Sequence, residues 1–325
     1  MRNAHALLAA ALAVPLLLAA CTPLLRPEGP AVTSPRIEAD AIVAADGARL
    51  PLRKWLPAGT PRTVILGLHG FNDYSRAFAR PAPALAERGI AVYAYDQRGF
   101  GGAPNRGDWA GTPTMADDMD AAVRLLEARY PGVPLYVLGE SMGGAVAMVA
   151  LTRPGAPPVA GLILAAPAVW SRDDMGLLPR VALWLGTHVF PWLPVSGGDL
   201  DIMPSDNIAM LRELSRDPLV IKESRADTVA GLVDLMDAAR RAAPRLKVPL
   251  LYLAGARDEV VPPAATRKTM RLLPGRPTLA VYPHGYHMLL RDKEARTVLD
   301  DIAAWIADRR RPLPSGADRL TQAQR

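Results

Sequence analysis

Apolar and polar positions follow a regular rhythm from about residue 60 onward. Short apolar runs with strand-like composition alternate with longer stretches of helical periodicity, which is typical of a parallel sheet with right-handed crossover helices. Two earlier strands, 36–44 and 49–56, flank Asp46-Gly47, a hairpin signal. The predicted core strands are 63–68, 90–95, 135–139, 161–166, 249–254 and 278–282. The predicted helices cover about 76–88, 115–129, 142–152, 263–273 and 294–310.

Residues 169–245 break this rhythm. They contain Trp170, Trp184, Trp192 and many Leu, Val and Met residues, and the stretch 178–193 is apolar on more than one helical face. A helix at about 227–243 closes the segment. The pattern predicts one large α/β domain that carries an insertion here.

The most informative motif is Gly139-Glu140-Ser141-Met142-Gly143-Gly144, which lies between an apolar strand and a helix-forming run. A G-x-S-x-G turn in this position strains its central residue and exposes the serine hydroxyl at the carboxyl end of the strand. The glycines leave room for the close approach of strand and helix. Ser141 is therefore a candidate nucleophile, although Gly and Ser are also common in ordinary turns.

A serine hydroxyl needs a base that takes its proton and an acid that orients the base. On this kind of sheet the three residues follow in the order Ser, Asp or Glu, His. We predict His287 as the base, because it lies in a loop after the last strand and just before the anchoring pair Leu289-Leu290. His284 in the same loop is the alternative.

The acid is predicted in a turn that follows the strand 249–254. Asp258 is the candidate, and its neighbour Glu259 is the alternative. Asp258 would also serve as the N-cap of the helix at 263–273, and the two roles are compatible.

Two backbone amides are predicted to bind a developing oxyanion. Gly70 lets the chain turn so that the amide of Phe71 faces the substrate, and the amide of Met142 follows the nucleophile directly. His69 is interpreted as a residue that braces the loop rather than as a base.

The motifs Leu-His-Gly-Phe, Gly-Glu-Ser-Met-Gly-Gly, Gly-Ala-Arg-Asp and Gly-Tyr-His, together with Asp96-Gln97-Arg98-Gly99-Phe100-Gly101, stand in a fixed order. This order resembles the α/β-hydrolase superfamily, and within it the monoacylglycerol lipase and lysophospholipase-like group of serine aminopeptidase-type hydrolases. The resemblance covers about residues 60–310. The loop Phe71-Asn72-Asp73-Tyr74 departs from the Gly-Glu-His type run of the animal lipases. The resemblance therefore does not carry over the way in which those lipases bind glycerol, and it does not define the exact substrate.

The resemblance implies an α/β-hydrolase fold: a mostly parallel sheet of the eight-stranded type, flanked by helices, with a helical cap at 169–245 after the sixth core strand. The core would be 36–168 and 246–311. It also implies hydrolysis of small lipid esters through a Ser141, Asp258 and His287 triad without a cofactor. A peptidase, thioesterase or acyltransferase of the same fold is the alternative, as is a non-catalytic lipid-binding envelope lipoprotein.

The amino-terminal segment has a basic start, a 15-residue apolar run from Ala6 to Ala20, and then Cys21, the single cysteine. This is typical of a signal peptide, since a transmembrane helix needs about 20 apolar residues. Leu18-Ala19-Ala20-Cys21 resembles the bacterial lipoprotein signal, which implies removal of 1–20, acylation of Cys21 and a Pro-rich tether at 21–35. The alternative is a plain signal peptide in which the cysteine is incidental. Because Thr22 is not Asp, the expected location is the outer membrane of the cell envelope, on its periplasmic side, in a bacterium that has one.

The net charge of +6 is concentrated at the carboxyl end, where residues 309–325 carry five arginines against one aspartate. The tail 312–325 is therefore predicted to be basic and disordered. The body of the protein is close to neutral and has no P-loop, no basic patch interleaved with aromatic residues and no metal-ligand spacing. We expect no nucleic-acid partner, no metal and no cofactor. The sequence leaves the oligomeric state open.

Overall fold

The computed structural model describes residues 23–196 and 202–322. The predicted signal peptide, 1–20, and the predicted lipidation site, Cys21, lie outside these residues. Within the described part of the chain, no helix combines the length and the apolar character needed to cross a bilayer.

The strands are β1 (Arg36–Ile37), β2 (Ala41–Val43), β3 (Arg49–Trp55), β4 (Thr63–Leu68), β5 (Ile90–Tyr95), β6 (Leu135–Glu140), β7 (Gly161–Ala165), β8 (Pro194–Ser196), β9 (Glu223–Arg225), β10 (Leu250–Gly255) and β11 (Thr278–Tyr282). The helices are α1 (Pro81–Ala86), α2 (Thr112–Arg129), α3 (Met142–Ala150), α4 (Leu177–His188), α5 (Ile208–Arg216), α6 (Ala226–Ala242), α7 (Pro263–Leu272), α8 (Ala295–Ala307) and α9 (Ala317–Gln322).

Nine of these strands form one sheet in the order β1-β2-β3-β5-β4-β6-β7-β10-β11. The six strands from β5 to β11 in this order run parallel, while β1, β2 and β3 are antiparallel. The predicted mostly parallel sheet is thereby confirmed. The sheet has nine strands rather than the eight of the expected type, because the predicted strand 36–44 is divided into β1 and β2. The chain turns back between them, where the amide of Glu38 donates to the carbonyl of Ala41 (2.8 Å), and β1 pairs with β2.

Helices cover both faces of the sheet. Leu85 of α1 and Trp305 of α8 belong to the apolar core on one face, and Met119 of α2 and Val146 of α3 belong to the core on the other. The helix predicted at 76–88 is broken into a 3₁₀ turn, Ser75–Ala79, and α1, because Pro81 has no amide hydrogen to continue the first turn.

The segment between β7 and β10 contains α4, α5, α6 and the small two-stranded sheet of β8 and β9. Helix α6 packs against both α3 and α4. This arrangement places α4 and α6 beside the carboxyl ends of the central strands, where Ser141 lies.

Both ends of the described chain pack against the body. The tether predicted at 21–35 is extended but bound, since the amide of Arg26 donates to the carbonyl of Trp109 (2.8 Å). At the other end Leu313 and Ala317 are buried, and the amide of Ser315 donates to the buried carboxylate of Asp301 (3.0 Å). Residues 312–322 therefore differ from the disordered tail that their composition predicts.

Candidate active site

Ser141 occupies a strained turn between β6 and α3. Its backbone angles are φ 50° and ψ −114°, in a region that side chains other than glycine seldom adopt. A Cβ atom on Gly143 would lie 2.2 Å from the carbonyl oxygen of Leu68, and one on Gly139 would lie 2.5 Å from Cα of Gly144. Glycine at these positions is therefore what allows α3 to lie against β4 while the turn presents the serine.

His287 and Asp258 complete a hydrogen-bonded series with Ser141. Nε2 of His287 lies 2.9 Å from Oγ of Ser141, and Nδ1 of His287 lies 2.9 Å from Oδ2 of Asp258. The other carboxylate oxygen of Asp258 accepts hydrogen bonds from the amides of Val260 and Val261, both at 2.9 Å. Both His287 and Asp258 are buried, so their geometry is fixed by the fold.

The alternative residues lie elsewhere. His284 is exposed, and its Nδ1 lies 3.1 Å from the guanidinium of Arg257. Glu259 accepts a hydrogen bond from the amide of Met203 (2.7 Å). The structure thus brings His287 and Asp258 to the serine and turns His284 and Glu259 to other partners.

The predicted oxyanion donors flank Ser141 along the chain and in space. A Cβ on Gly70 would lie 3.4 Å from Cβ of Ser141, so the turn after β4 approaches Ser141 closely. Among the described residues, the amides of Phe71 and Met142 donate no hydrogen bond to another protein group. Two amides beside the serine are therefore available to an oxyanion.

His69 holds the loop that carries Phe71. Its Nε2 accepts from the amide of Gln97 (2.9 Å), which places the hydrogen on Nδ1, and Nδ1 donates to the carbonyl of Gly70 (2.8 Å). Burial lowers the pKa of His69 and keeps the ring neutral. These contacts are those of a residue that braces the loop.

A buried ionic cluster that the sequence does not predict lies beside Ser141 and lines the same cavity. The guanidinium of Arg291 donates to Asp73 (2.7 Å) and to Glu140 (2.9 Å), and all three side chains are buried. Burial disfavours the charged form of Arg291, but the negative charges of Glu140 and Asp73 outweigh this effect, so the pKa of Arg291 is raised. Burial also disfavours the charged form of Glu140, which raises the pKa of that carboxyl. No local sequence signal identifies this cluster, because Asp73, Glu140 and Arg291 lie far apart along the chain.

Residues 202–207 connect the loop that carries His287 to the region of α5. Oγ of Ser205 donates to Asp292 (2.6 Å), and the amide of Met288 donates to the carbonyl of Pro204 (3.0 Å). Asp292 also accepts from the amide of Tyr286, next to His287 (2.8 Å). The loop that carries His287 is therefore held from two sides.

A cavity of about 450 Å³ opens beside Ser141. One end contains the serine, His287 and the ionic cluster, and the rest is apolar. Helices α4 and α6 supply a large part of the apolar wall, through Pro179, Leu183, Val229, Leu232, Val233 and Met236. The cavity thus has a polar end at Ser141 and an apolar extension, the arrangement expected for an amphiphilic ligand.

The outer side of α4 carries a second apolar surface. Leu177, Leu178, Val181, Trp184 and Leu185 recur at helical spacing on one face, and Leu178 is 82% exposed. Phe190, Trp192 and Leu193 continue this surface and are about half exposed. We call these eight residues the exposed apolar face. A patch of this kind is unusual on a monomeric soluble protein and marks an interaction surface.

Within the described residues, no three His, Cys, Asp or Glu side chains gather as a metal site. The ionisable groups at the serine are instead paired with one another.

The sequence of this chain is similar to sequences of known proteins over most of its length. Residues 59–294 match the family described as "Serine aminopeptidase, S33". The chain is 29% identical to "Monoacylglycerol lipase" of Mycolicibacterium smegmatis over 290 residues, 85% of this chain and 98% of that protein. It is also 29% identical to "Monoglyceride lipase" of Homo sapiens over 281 residues, 82% of this chain and 90% of that protein.

Solved structures show the same fold. A soluble variant of monoglyceride lipase from Saccharomyces cerevisiae superposes with a TM-score of 0.70 at 22% identity, over 88% of this chain and 99% of that one. A monoacylglycerol lipase from Paleococcus ferrophilus superposes with a TM-score of 0.66 at 24% identity, over 79% of this chain and 98% of that one.

Proposed function

This chain belongs to the serine aminopeptidase S33 family of α/β-hydrolases and is a carboxylic ester hydrolase, and we propose that it cleaves monoacylglycerols through an acyl-enzyme on Ser141. The observation that carries the proposal is the continuous series Asp258–His287–Ser141, with two hydrogen-bond distances of 2.9 Å. This series gives the serine a base and gives the base an orienting carboxylate.

In the first half of the reaction, Oγ of Ser141 attacks the ester carbonyl carbon while its proton passes to Nε2 of His287. The carbonyl oxygen becomes an oxyanion that accepts hydrogen bonds from the amides of Phe71 and Met142; each such donor is worth about 3 kcal/mol. The carbon–oxygen ester bond then breaks, and the leaving alcohol takes the proton from His287. The acyl group remains on Ser141.

In the second half, water attacks the acyl carbon and gives its proton to His287. The Ser141–acyl bond breaks, the serine regains a proton from His287, and the carboxylic acid leaves. Asp258 stabilises the imidazolium in both halves.

The cavity supports a small neutral lipid ester as the substrate. Its apolar extension between α4 and α6 suits one acyl chain. At the polar end, Arg291 is matched by two carboxylates, Asp73 and Glu140, so the local charge opposes an anionic headgroup. This favours a glycerol headgroup over the phosphate of a lysophospholipid, which is the second candidate of the same class.

Purified protein that begins after Cys21 tests this proposal. We expect hydrolysis of p-nitrophenyl esters and of monoacylglycerol, covalent labelling by a fluorophosphonate, and a loss of about 10³-fold or more in kcat for Ser141→Ala and His287→Ala. His284→Ala is the matched control and should keep the parent rate. Equal labelling of Ser141→Ala and the parent would overturn the nucleophile, and faster turnover of aminoacyl amides than of esters would point to a peptidase.

We also propose that the chain is a lipoprotein of the cell envelope, anchored to the outer membrane through acylated Cys21. The support is the sequence before Cys21 and the exposed apolar face. One acyl chain binds a membrane only marginally, whereas two or more hold it stably. Metabolic labelling with palmitate, followed by membrane fractionation, should show label and sedimentation for the parent and neither for Cys21→Ser.

A further inference from the structure

We propose that residues 23–29 form a strap that holds the acylated Cys21 beside the exposed apolar face, so that the anchor lays this face on the bilayer. The inference rests on the lipidation proposed above. It goes beyond it by fixing the orientation of the enzyme on the membrane.

The strap is bound to the body through alternate residues. The amide of Leu24 donates to Asp227 (2.9 Å), that of Arg26 to the carbonyl of Trp109 (2.8 Å) and that of Glu28 to Thr114 (3.2 Å). This period of two is that of an extended strand with one edge paired. A flexible tether would not make three such bonds in five residues.

The strap residues also use their side chains. Leu25 packs against the turn before α2, where a Cβ on Gly111 would lie 3.3 Å from Cδ1 of Leu25. Arg26 forms an ion pair with Asp108 (3.3 Å). The strap is thereby fixed to the loop before α2 as well as to α6.

Asp227 connects the strap directly to the exposed apolar face. Its side chain is fully buried and is also held by Arg225 (2.6 Å). Its amide donates to the carbonyl of Pro191 (3.1 Å), and the amide of the preceding Ala226 donates to the carbonyl of Leu193 (2.9 Å). Leu24 is therefore separated by a single side chain from the segment that carries Trp192.

Chain length then limits where the anchor can be. Cys21 precedes Leu24 by three residues, which span at most about 11 Å. A flexible tether from Cys21 to residue 35 would instead have a root-mean-square length of about 20 Å and a reach of about 50 Å. The occupant that the strap brings to the exposed apolar face is thus the lipid surface that receives the acyl chains.

The opposite side of the molecule provides a reference point. Arg310 is 92% exposed in its side chain, and its neighbour Arg309 donates to the carbonyl of Ala160, just before β7. Arg310 therefore lies at the amino edge of the parallel strands, away from Ser141 and α4. Strap-directed docking predicts that Leu178 meets the bilayer and that Arg310 does not.

The test uses the acylated full chain on vesicles of phosphatidylethanolamine and phosphatidylglycerol. Leu178→Cys or Arg310→Cys is labelled with an environment-sensitive fluorophore, and quenching by spin-labelled lipid is measured; acylation protects Cys21 from the label. One variant carries a 20-residue Gly/Ser insertion between Thr22 and Pro23, which keeps the strap but lengthens the anchor. A second, Leu24→Pro/Arg26→Pro, removes two strap donors. Ala31→Pro is the matched control.

We expect strong quenching at position 178 and little at 310 in the parent. Both strap variants should lose quenching at 178, and their turnover of monoacylglycerol held in vesicles should fall roughly three- to tenfold because the local concentration of the surface drops. Ala31→Pro should behave as the parent. Turnover of soluble p-nitrophenyl butyrate and membrane sedimentation should be unchanged throughout.

Parent-like quenching and vesicle turnover in both strap variants would overturn the strap. So would a blue shift of the label at 178 that appears with rising protein concentration in the absence of vesicles, because this would assign the face to a second copy of the chain. Failure of the proposed function is recognised separately, by absent soluble-ester turnover or absent sedimentation in the parent.

Discussion

Helices α3 and α4 are both apolar, yet the fold buries one and exposes the other. Eight of the nine residues of α3 are buried, whereas α4 contains no buried residue. The difference lies in side-chain size. Gly143, Gly144 and the alanines of α3 let its backbone approach the sheet, while α4 presents Leu and Trp side chains on more than one side and packs only through residues such as Leu183. Small apolar residues thus indicate contact with a sheet, and large ones on two faces indicate a second, external contact.

The largest expected effect comes from removing the close approach of α3. Gly143→Ala places a methyl group 2.2 Å from the carbonyl oxygen of Leu68, so α3 and the turn at Ser141 must shift by about an ångström. We expect a loss of about 10²-fold or more in kcat/KM, measured with p-nitrophenyl butyrate.

Gly176→Ala, at the start of α4, is the matched control. Its new methyl group would meet Pro179 at 3.8 Å, an ordinary contact. The activity on soluble esters should be unchanged; equal losses in the two variants would contradict the contrast between the helices.

The second comparison truncates one large side chain in each helix. Met148 in α3 is fully buried, so Met148→Ala should lower the free energy of unfolding by about 2–5 kcal/mol. Leu178→Ala should change it by less than about 0.5 kcal/mol, because that side chain is already in solvent. Urea titration of both proteins checks this, and a similar loss for Leu178→Ala would mean that α4 is packed in solution.

The smallest effect concerns a polar group in α2, which packs against α3. One carboxylate oxygen of Asp120 is buried and has no hydrogen-bond partner among the described residues, and burial raises the pKa of Asp120 to about 6 against the attraction of Arg153. The folded state then holds this proton more tightly than the unfolded chain, so the stability contributed by this group falls as pH rises from about 4 to 6.

Asp120→Asn should therefore raise the free energy of unfolding at pH 7 by about 1 kcal/mol, a value reduced for the partial solvent access of the group, and leave it unchanged near pH 4. Urea titrations at both pH values measure the difference. Asp117→Asn loses the ion pair with Arg153 (2.6 Å) and should show no gain. A gain of equal size at pH 4 and pH 7 would argue against titration of Asp120.

The elements that carry the chemistry were predictable because their signals are local. The strands 63–68, 90–95 and 278–282 were predicted with the bounds that the structure has, and the motif turns placed Ser141, Asp258 and His287 at strand ends. Whether these three residues form a working triad is what the proposed variants test. Their convergence follows from a general property of parallel sheets, whose carboxyl ends share one edge.

The features that escaped prediction depend on contacts between distant residues. Arg291 pairs with Asp73 and Glu140 over separations of 218 and 151 residues, and no local pattern encodes such a pairing. The strap at 23–29 and the segment at 312–322 have the composition of Pro-rich or polar linkers, and the contacts that hold them also join residues that are distant in the sequence. Their amides find partners only once the body has folded.

The order of the strands also means that the candidate site depends on a late part of the chain. His287, the proposed base, follows β11, which pairs with β10 at one edge of the sheet that the described residues form, and it lies 146 residues after Ser141 along the chain. A chain that emerges from its amino terminus can form β4, β5 and β6 and the turn at Ser141 long before its base is available. The proposed catalysis thus depends on β11 and the loop that follows it, and local opening at this edge of the sheet would separate His287 from Ser141 while the other strands stay paired.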